Sequence, residues 1–204
     1  MAVLGADGLK LSALLNSTSD VYSKLSGAAL VKAKVAELVV MGGDYPSGYE
    51  FNFLADNPVE TAHVVNSWPG GDVVFSGDEL GRRVRSGAGL MMHGPASDPV
   101  RAAYMYYTYN TSRFSWDPLT VLYAIGGLGD IFTYGNLFGY NHVEANGSNY
   151  WVHDEKVTNQ HWLYLKTDNE TAASILDRLF LDGAALAGVG NSSTFVDVGL
   201  HHQA

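Results

Sequence analysis

The chain contains no cysteine. That removes disulfides, thiolate catalysis and zinc–sulfur sites together. Basic residues are scarce: 12 Lys and Arg stand against 21 Asp and Glu, for a net charge of −9. Binding to a phosphate backbone needs clustered cations. The densest group, Arg82, Arg83 and Arg85, reads as a solvated helix face, so no nucleic-acid partner is expected. Nothing approaches the ~18 uninterrupted apolar residues of a membrane span, and none is expected to cross a bilayer. The seven histidines include no i, i+4 pair of the kind that holds zinc on a helix. No Gly-x-Ser-x-Gly elbow occurs, and Gly77-Asp78-Glu79-Leu80-Gly81 lacks the Lys-Ser/Thr of a phosphate loop. Internal repeats and low-complexity blocks are likewise missing.

What is present is a globule. A hydrophobic share of 47% with 16% charged residues over 204 positions suits one domain, residues 1–204, with a substantial core and a loose tail over 183–204. Short helices are expected over 11–16 and 25–36, then a buried strand over 35–41. Asn57-Pro58 opens a helix by cap and first-turn logic, and Val73 to Gly77 forms a second buried strand. A helix over 78–85 follows, then others from Asp98-Pro99 to about 107 and from Trp116 to about 125. This alternation predicts an α/β fold, a mainly parallel sheet flanked by helices. Beyond Gly126 the pattern changes to strands over 131–134, 140–145, 149–153 and 162–165. The middle two make an antiparallel hairpin through Asn146-Gly147. A helix over 168–181 closes the pattern, with Ala172, Ile175, Leu176 and Leu179 inward.

Five Asn-x-Ser/Thr acceptors, Asn16, Asn110, Asn146, Asn169 and Asn191, exceed what this composition gives by chance. They point to a glycosylated, secreted protein, although Met1 to Gly5 has neither the basic nor the apolar region of a signal peptide.

The most informative stretch runs from Val39 to Phe53. An apolar run ends in Gly42-Gly43, and a short turn delivers Glu50 and Asn52. In extended backbone these two side chains share one side while Phe51 and Phe53 point into the body. An acceptor and an amide at the C-terminal end of a buried strand occupy the place where open α/β sheets bind small polar ligands. The competing reading is that they cap the next helix. Asp56 and Asp117 are the other acidic residues at strand ends or helix starts. Asp117, just before Pro118, suits either a helix cap or a hard cation.

Glu37 to Gly43, Glu50-Phe51-Asn52-Phe53, Asp56-Asn57-Pro58, Val74 to Gly77 and Ser115-Trp116-Asp117-Pro118 together resemble the inosine/uridine-preferring nucleoside hydrolase family. The likeness is clear over 8–125, and the Tyr45-Pro46-Ser47-Gly48 variant is similar to a secreted microbial or fungal subgroup. The resemblance implies hydrolysis of nucleoside N-glycosidic bonds with bound Ca²⁺. It implies that Glu50 and Asn52 bind ribose hydroxyls and that Asp117 ligates the metal. Trp116 stands where many members carry the histidine that protonates the leaving base; it offers stacking on a base instead. The family's Asp-x-Asp-x-Gly-x-Asp-Asp metal loop has no counterpart, and Leu9 and Lys10 replace its Thr and Asn. The chain therefore reads as the C-terminal portion of such a hydrolase, lacking the first strands. It is expected not to retain Ca²⁺ alone, to be inactive as it stands, and to pair with a second copy through the bared sheet edge. A non-catalytic sugar- or nucleoside-binding or interaction protein on the same fold is the alternative.

Overall fold

The computed structural model describes residues 2–4, 8–55 and 57–189. In chain order the elements are β1 (Ala2–Leu4), α1 (Gly8–Leu15), α2 (Gly27–Lys34), β2 (Glu37–Met41), β3 (Ser47–Gly48), α3 (Phe51–Leu54), α4 (Pro58–Asn66), β4 (Asp72–Ser76) and α5 (Asp78–Gly81). Next come β5 (Arg85–Ser86), α6 (Ala88–His93), α7 (Pro99–Thr108), β6 (Arg113–Phe114) and α8 (Trp116–Gly126). The last are β7 (Phe132–Tyr134), β8 (Tyr140–Val143), β9 (Asn149–Val152), β10 (Gln160–Leu165) and α9 (Asn169–Val189).

The chain divides into two compact units, the first built from residues 1–82 and 116–166. Its sheet has the order β1-β2-β4-β10-β7, parallel from β1 through β10 and antiparallel only at β7. The centre of that sheet follows from the sequence. Leu38 to Met41 and Val73 to Phe75 are β-branched or long apolar residues covered on both faces, as parallel strands flanked by helices require. One core cluster joins Leu38, Val40, Phe75, Tyr45, Phe53, Val143 and Trp162. Another seats Leu15, Val31 and Val64 under α1, α2 and α4. Ser26 caps α2, its side chain accepting from Ala29 N at 3.4 Å, and Pro58 sits at the first turn of α4, where its missing N–H costs nothing. A separate three-stranded sheet, β3-β9-β8, carries the expected hairpin.

The second unit comprises residues 83–115 and 167–204. Within it β5 and β6 pair antiparallel, and Asp98 caps α7 by accepting from Arg101 N at 2.6 Å. Asp177 of α9 accepts from Gly87 N at 2.5 Å and from Gly89 N at 3.0 Å, tying the start of α6 to that helix.

Four expectations change. The strand β2 is not an edge, because β1 pairs with it from Ala2↔Leu38 to Leu4↔Val40. The strand expected over 162–165 starts earlier, at Gln160, and enters the main sheet parallel to β4. The helix foreseen over 78–85 stops at Gly81, since Arg85 is taken into a cross-strand pair with Phe114. The last helix runs to Val189 rather than ending at Leu181, so the first part of the anticipated tail is helical. On it Ala172, Leu176 and Ala184 are buried, while Leu179 is 47% exposed.

Candidate functional site

The site expected from the sequence lies at the C-terminal end of β2. Gly42 and Gly43 are there for room and conformation. A Cβ on Gly42 would stand 2.3 Å from the Phe53 ring, and Gly43 adopts φ +82°. The chain turns through 44–49 and enters α3 with Glu50 as the N-cap, its backbone extended at φ −131°, ψ 147°. One carboxylate oxygen, Oε1, accepts from Asn52 N at 2.8 Å. The other, Oε2, accepts from Gly43 N at 3.2 Å and Phe53 N at 3.3 Å. Glu50 thus caps α3 and fastens the Gly-Gly turn to it, and is only 6% exposed. Burial pushes its carboxyl above the usual carboxylate range, against the pull of these three donors and with the help of the Asp78 charge.

The segment after Glu50 is therefore helical, not extended. The capping reading holds for Glu50, and Phe51 is 73% exposed while Phe53 is buried. Asn52 still faces the strand end: its Nδ2 donates to Met41 O at 3.2 Å and lies 2.8 Å from Met41 Sδ. Met41 is the cross-strand neighbour of Ser76, the last residue of β4. Beyond Ser76, Asp78 N donates to Gly43 O at 2.8 Å, and Asp78 O accepts from Trp116 Nε1 at 3.1 Å. A Cβ at Gly81 would meet Trp116 Cδ1 at 2.3 Å, so the indole lies flush on that turn. Backbone contacts of Asp78 thus link the ends of β2 and β4 to the start of α8. Asp117, one residue on, is exposed in the first turn of α8.

A second group of ionisable residues borders the 44–49 turn and carries no signal in the local sequence. Glu79 Oε2 accepts from Tyr45 N at 3.1 Å, and burial, opposed by that donor and reinforced by Asp44, raises its carboxyl to about 7. Arg82 pairs with Asp44 at 3.5 Å and with Asp78. The turn is pinned from far along the chain. Asn149 Oδ1 accepts from Asp44 N at 3.0 Å, and Asn149 Nδ2 donates to Asp44 O and to Asn141 Oδ1, both at 3.1 Å. Asn141 Nδ2 then donates to the Tyr45 hydroxyl at 3.0 Å. Both asparagines are buried, and burial raises the Tyr45 hydroxyl well above its ordinary value.

Ca²⁺ needs six to eight oxygens, several of them from carboxylates. Among the described residues no three His, Asp or Glu side chains gather so as to hold a metal. Both oxygens of Glu50 already serve backbone amides. These residues do not fit the ion. Asp56 and Asn191 lie outside the described residues; Asn16, Asn110, Asn146 and Asn169 are all exposed.

Compared by fold, the chain is similar to a plant nucleoside hydrolase, PpNRh1, with a TM-score of 0.50 and 18% sequence identity. The superposition covers 76% of this chain and 59% of that one, so the chain spans under two thirds of that enzyme's length. No protein-family model matches the chain. No curated protein matches it by sequence. The likeness is one of architecture: the mainly parallel sheet with flanking helices is nucleoside hydrolase-like.

Proposed function

We propose that this chain derives from nucleoside N-ribohydrolases of inosine/uridine preference and binds a nucleoside or ribose-like molecule at the C-terminal end of its sheet. The observation that carries this reading is Asn52. Its amide nitrogen is tied to Met41 at the strand end, and its Oδ1 accepts from no described residue, leaving an oriented acceptor for a sugar hydroxyl. Glu50 has the supporting part, holding Asn52 and the Gly42-Gly43 turn in place. Trp116 and Asp117 border the same end through Asp78. The fold likeness to PpNRh1 supports the nucleoside as ligand class.

Hydrolysis by these 204 residues alone is not expected, because among the described residues the donors do not fit Ca²⁺. That observation favours the second reading too, a non-catalytic nucleoside-binding protein on a hydrolase fold. An exported location and association of two copies through a sheet edge belong to the same proposal. The test is a calorimetric titration with inosine, uridine and ribose, with and without Ca²⁺, alongside a reducing-sugar assay. Binding without sugar release is expected. The Asn52→Ala variant should bind about tenfold more weakly, the loss of roughly one hydrogen bond. Undiminished binding by Asn52→Ala would remove the proposed site, and rapid Ca²⁺-dependent sugar release would overturn the claim of inactivity.

A further inference from the structure

We infer that Asn146 is the preferred N-glycan acceptor of this chain, selected from among similar triplets by the geometry of its hairpin tip. Four of the five acceptor triplets fall on described residues, and all four asparagines are exposed, so exposure does not choose between them. What differs is the hydroxyl two residues on. At the hairpin tip Ser148 Oγ donates to Asn146 Oδ1 at 2.7 Å, and Ser148 N donates to the same oxygen at 3.0 Å. Two donors on the carbonyl oxygen draw electron density from the carboxamide and fix its plane, while Asn146 Nδ2 donates to no described residue. Elsewhere the hydroxyl is engaged otherwise. Thr171 Oγ1 donates at 2.7 Å to the Asp168 carboxylate, which caps α9 by accepting from Thr171 N at 2.8 Å, so the hydroxyl does not address Asn169. Ser112 Oγ accepts from Arg85 Nε at 3.2 Å beside Asn110. The Asn16 carboxamide nitrogen itself is directed at Ser12 Oγ, at 3.5 Å.

The Asn146 arrangement is also local. Its contacts span two residues, and the tip closes with Gly147 N donating to Glu144 O at 2.9 Å and Glu144 N to Ser148 O at 2.8 Å. Hairpins of this kind form in about 1–10 μs, far faster than chain synthesis, so the geometry is available to a transferase acting on the emerging chain. Gly147 holds the turn at φ +83°, which only glycine adopts without strain. The co-substrate class is an oligosaccharide activated as a polyprenyl pyrophosphate. The N–C bond to the anomeric carbon forms as the C–O bond to pyrophosphate breaks, and the amide loses one proton to a base of the transferase. The product is an N-linked glycan at the rim of the hairpin that seats on α3, since a Cβ on Gly147 would stand 2.4 Å from Phe53 O.

The test uses the full chain secreted from a eukaryotic host behind a signal sequence, in an Asn191→Gln background, with intact mass read before and after endoglycosidase. One glycan per chain is expected, lost in Asn146→Gln and retained in Asn16→Gln, Asn110→Gln and Asn169→Gln. Ser148→Thr keeps the hydroxyl and should keep the glycan. Gly147→Ala preserves the acceptor triplet but not the turn, and should lower occupancy at least fivefold. Because that variant also strains the fold, Asn146 occupancy is read in parallel, from cell lysate, on Val40→Asp, which prevents folding but leaves the tip sequence intact and should remain glycosylated. An unmodified Asn146 beside a modified Asn16, Asn110 or Asn169 overturns the inference, as does full occupancy in Gly147→Ala.

Discussion

At the scale of single residues, the sharpest contrast is between two carboxylates that the sheet end treats differently. Glu50 is buried with three backbone donors, whereas Glu79 has one donor, at Tyr45, and the Asp44 carboxylate as a neighbour. Its carboxyl is raised to about 7, so the folded chain holds a proton there that the unfolded chain releases near pH 4.5. A raised pKa contributes stability that is complete below the unfolded value and is lost as pH rises through the folded one. Glu79→Gln, which keeps an acceptor for Tyr45 N and gains a donor toward Asp44, should melt higher than the parent at pH 8 and not at pH 4.5. The gain should be about 2–6 °C for a chain of this length, and an unchanged difference between the two pH values would contradict it. Asp117→Ala removes an exposed side chain and should move the melting temperature by less than about 2 °C, whereas Val40→Asp places an unpaired charge in the core and should prevent folding. Comparable melting curves for those two variants would contradict the placement of strand and site. Glu79 was not legible in advance because nothing local marks it; its environment is made by Asp44 and Tyr45, more than thirty positions away.

Among the elements, those governed by short-range chemistry were readable. Asp98-Pro99 and Pro58 set the starts of α7 and α4, and the β-branched runs gave β2 and β4 to within two residues. The opening of α3 shows where such reading divides. Alternation put Glu50 and Asn52 on one side of a strand, but a carboxylate with three nearby amides is better satisfied as a helix cap, and the helix won. What the local sequence did not disclose was long-range pairing. The strand β10 joins β4 in parallel across some ninety residues, and Asn141 and Asn149 reach back about a hundred to hold the 44–49 turn. Those asparagines looked like ordinary hairpin residues because their partners come from elsewhere. Asn149→Ala leaves the Asp44 backbone without two of its bonds and should cost about 2–3 kcal/mol, read as a shift in denaturant midpoint. A cost below about 0.5 kcal/mol would show that β9 does not hold the turn.

For the molecule as a whole, charge and composition gave the exclusions, and the architecture is nucleoside hydrolase-like. The net charge of −9 accords with the proposed ligand, a small neutral polyol rather than a polyanion. The acceptor amide that would grip it is present, and among the described residues the carboxylate cluster that would hold Ca²⁺ is not. On the proposed reading, the sugar is recognised without the cation. The most direct measurement is the titration of this chain with inosine in chelator, repeated with Asn52→Ala. Saturable binding that survives chelation and weakens about tenfold in the variant is the predicted result. Binding that appears only with Ca²⁺, or that ignores the loss of Asn52, would contradict the account.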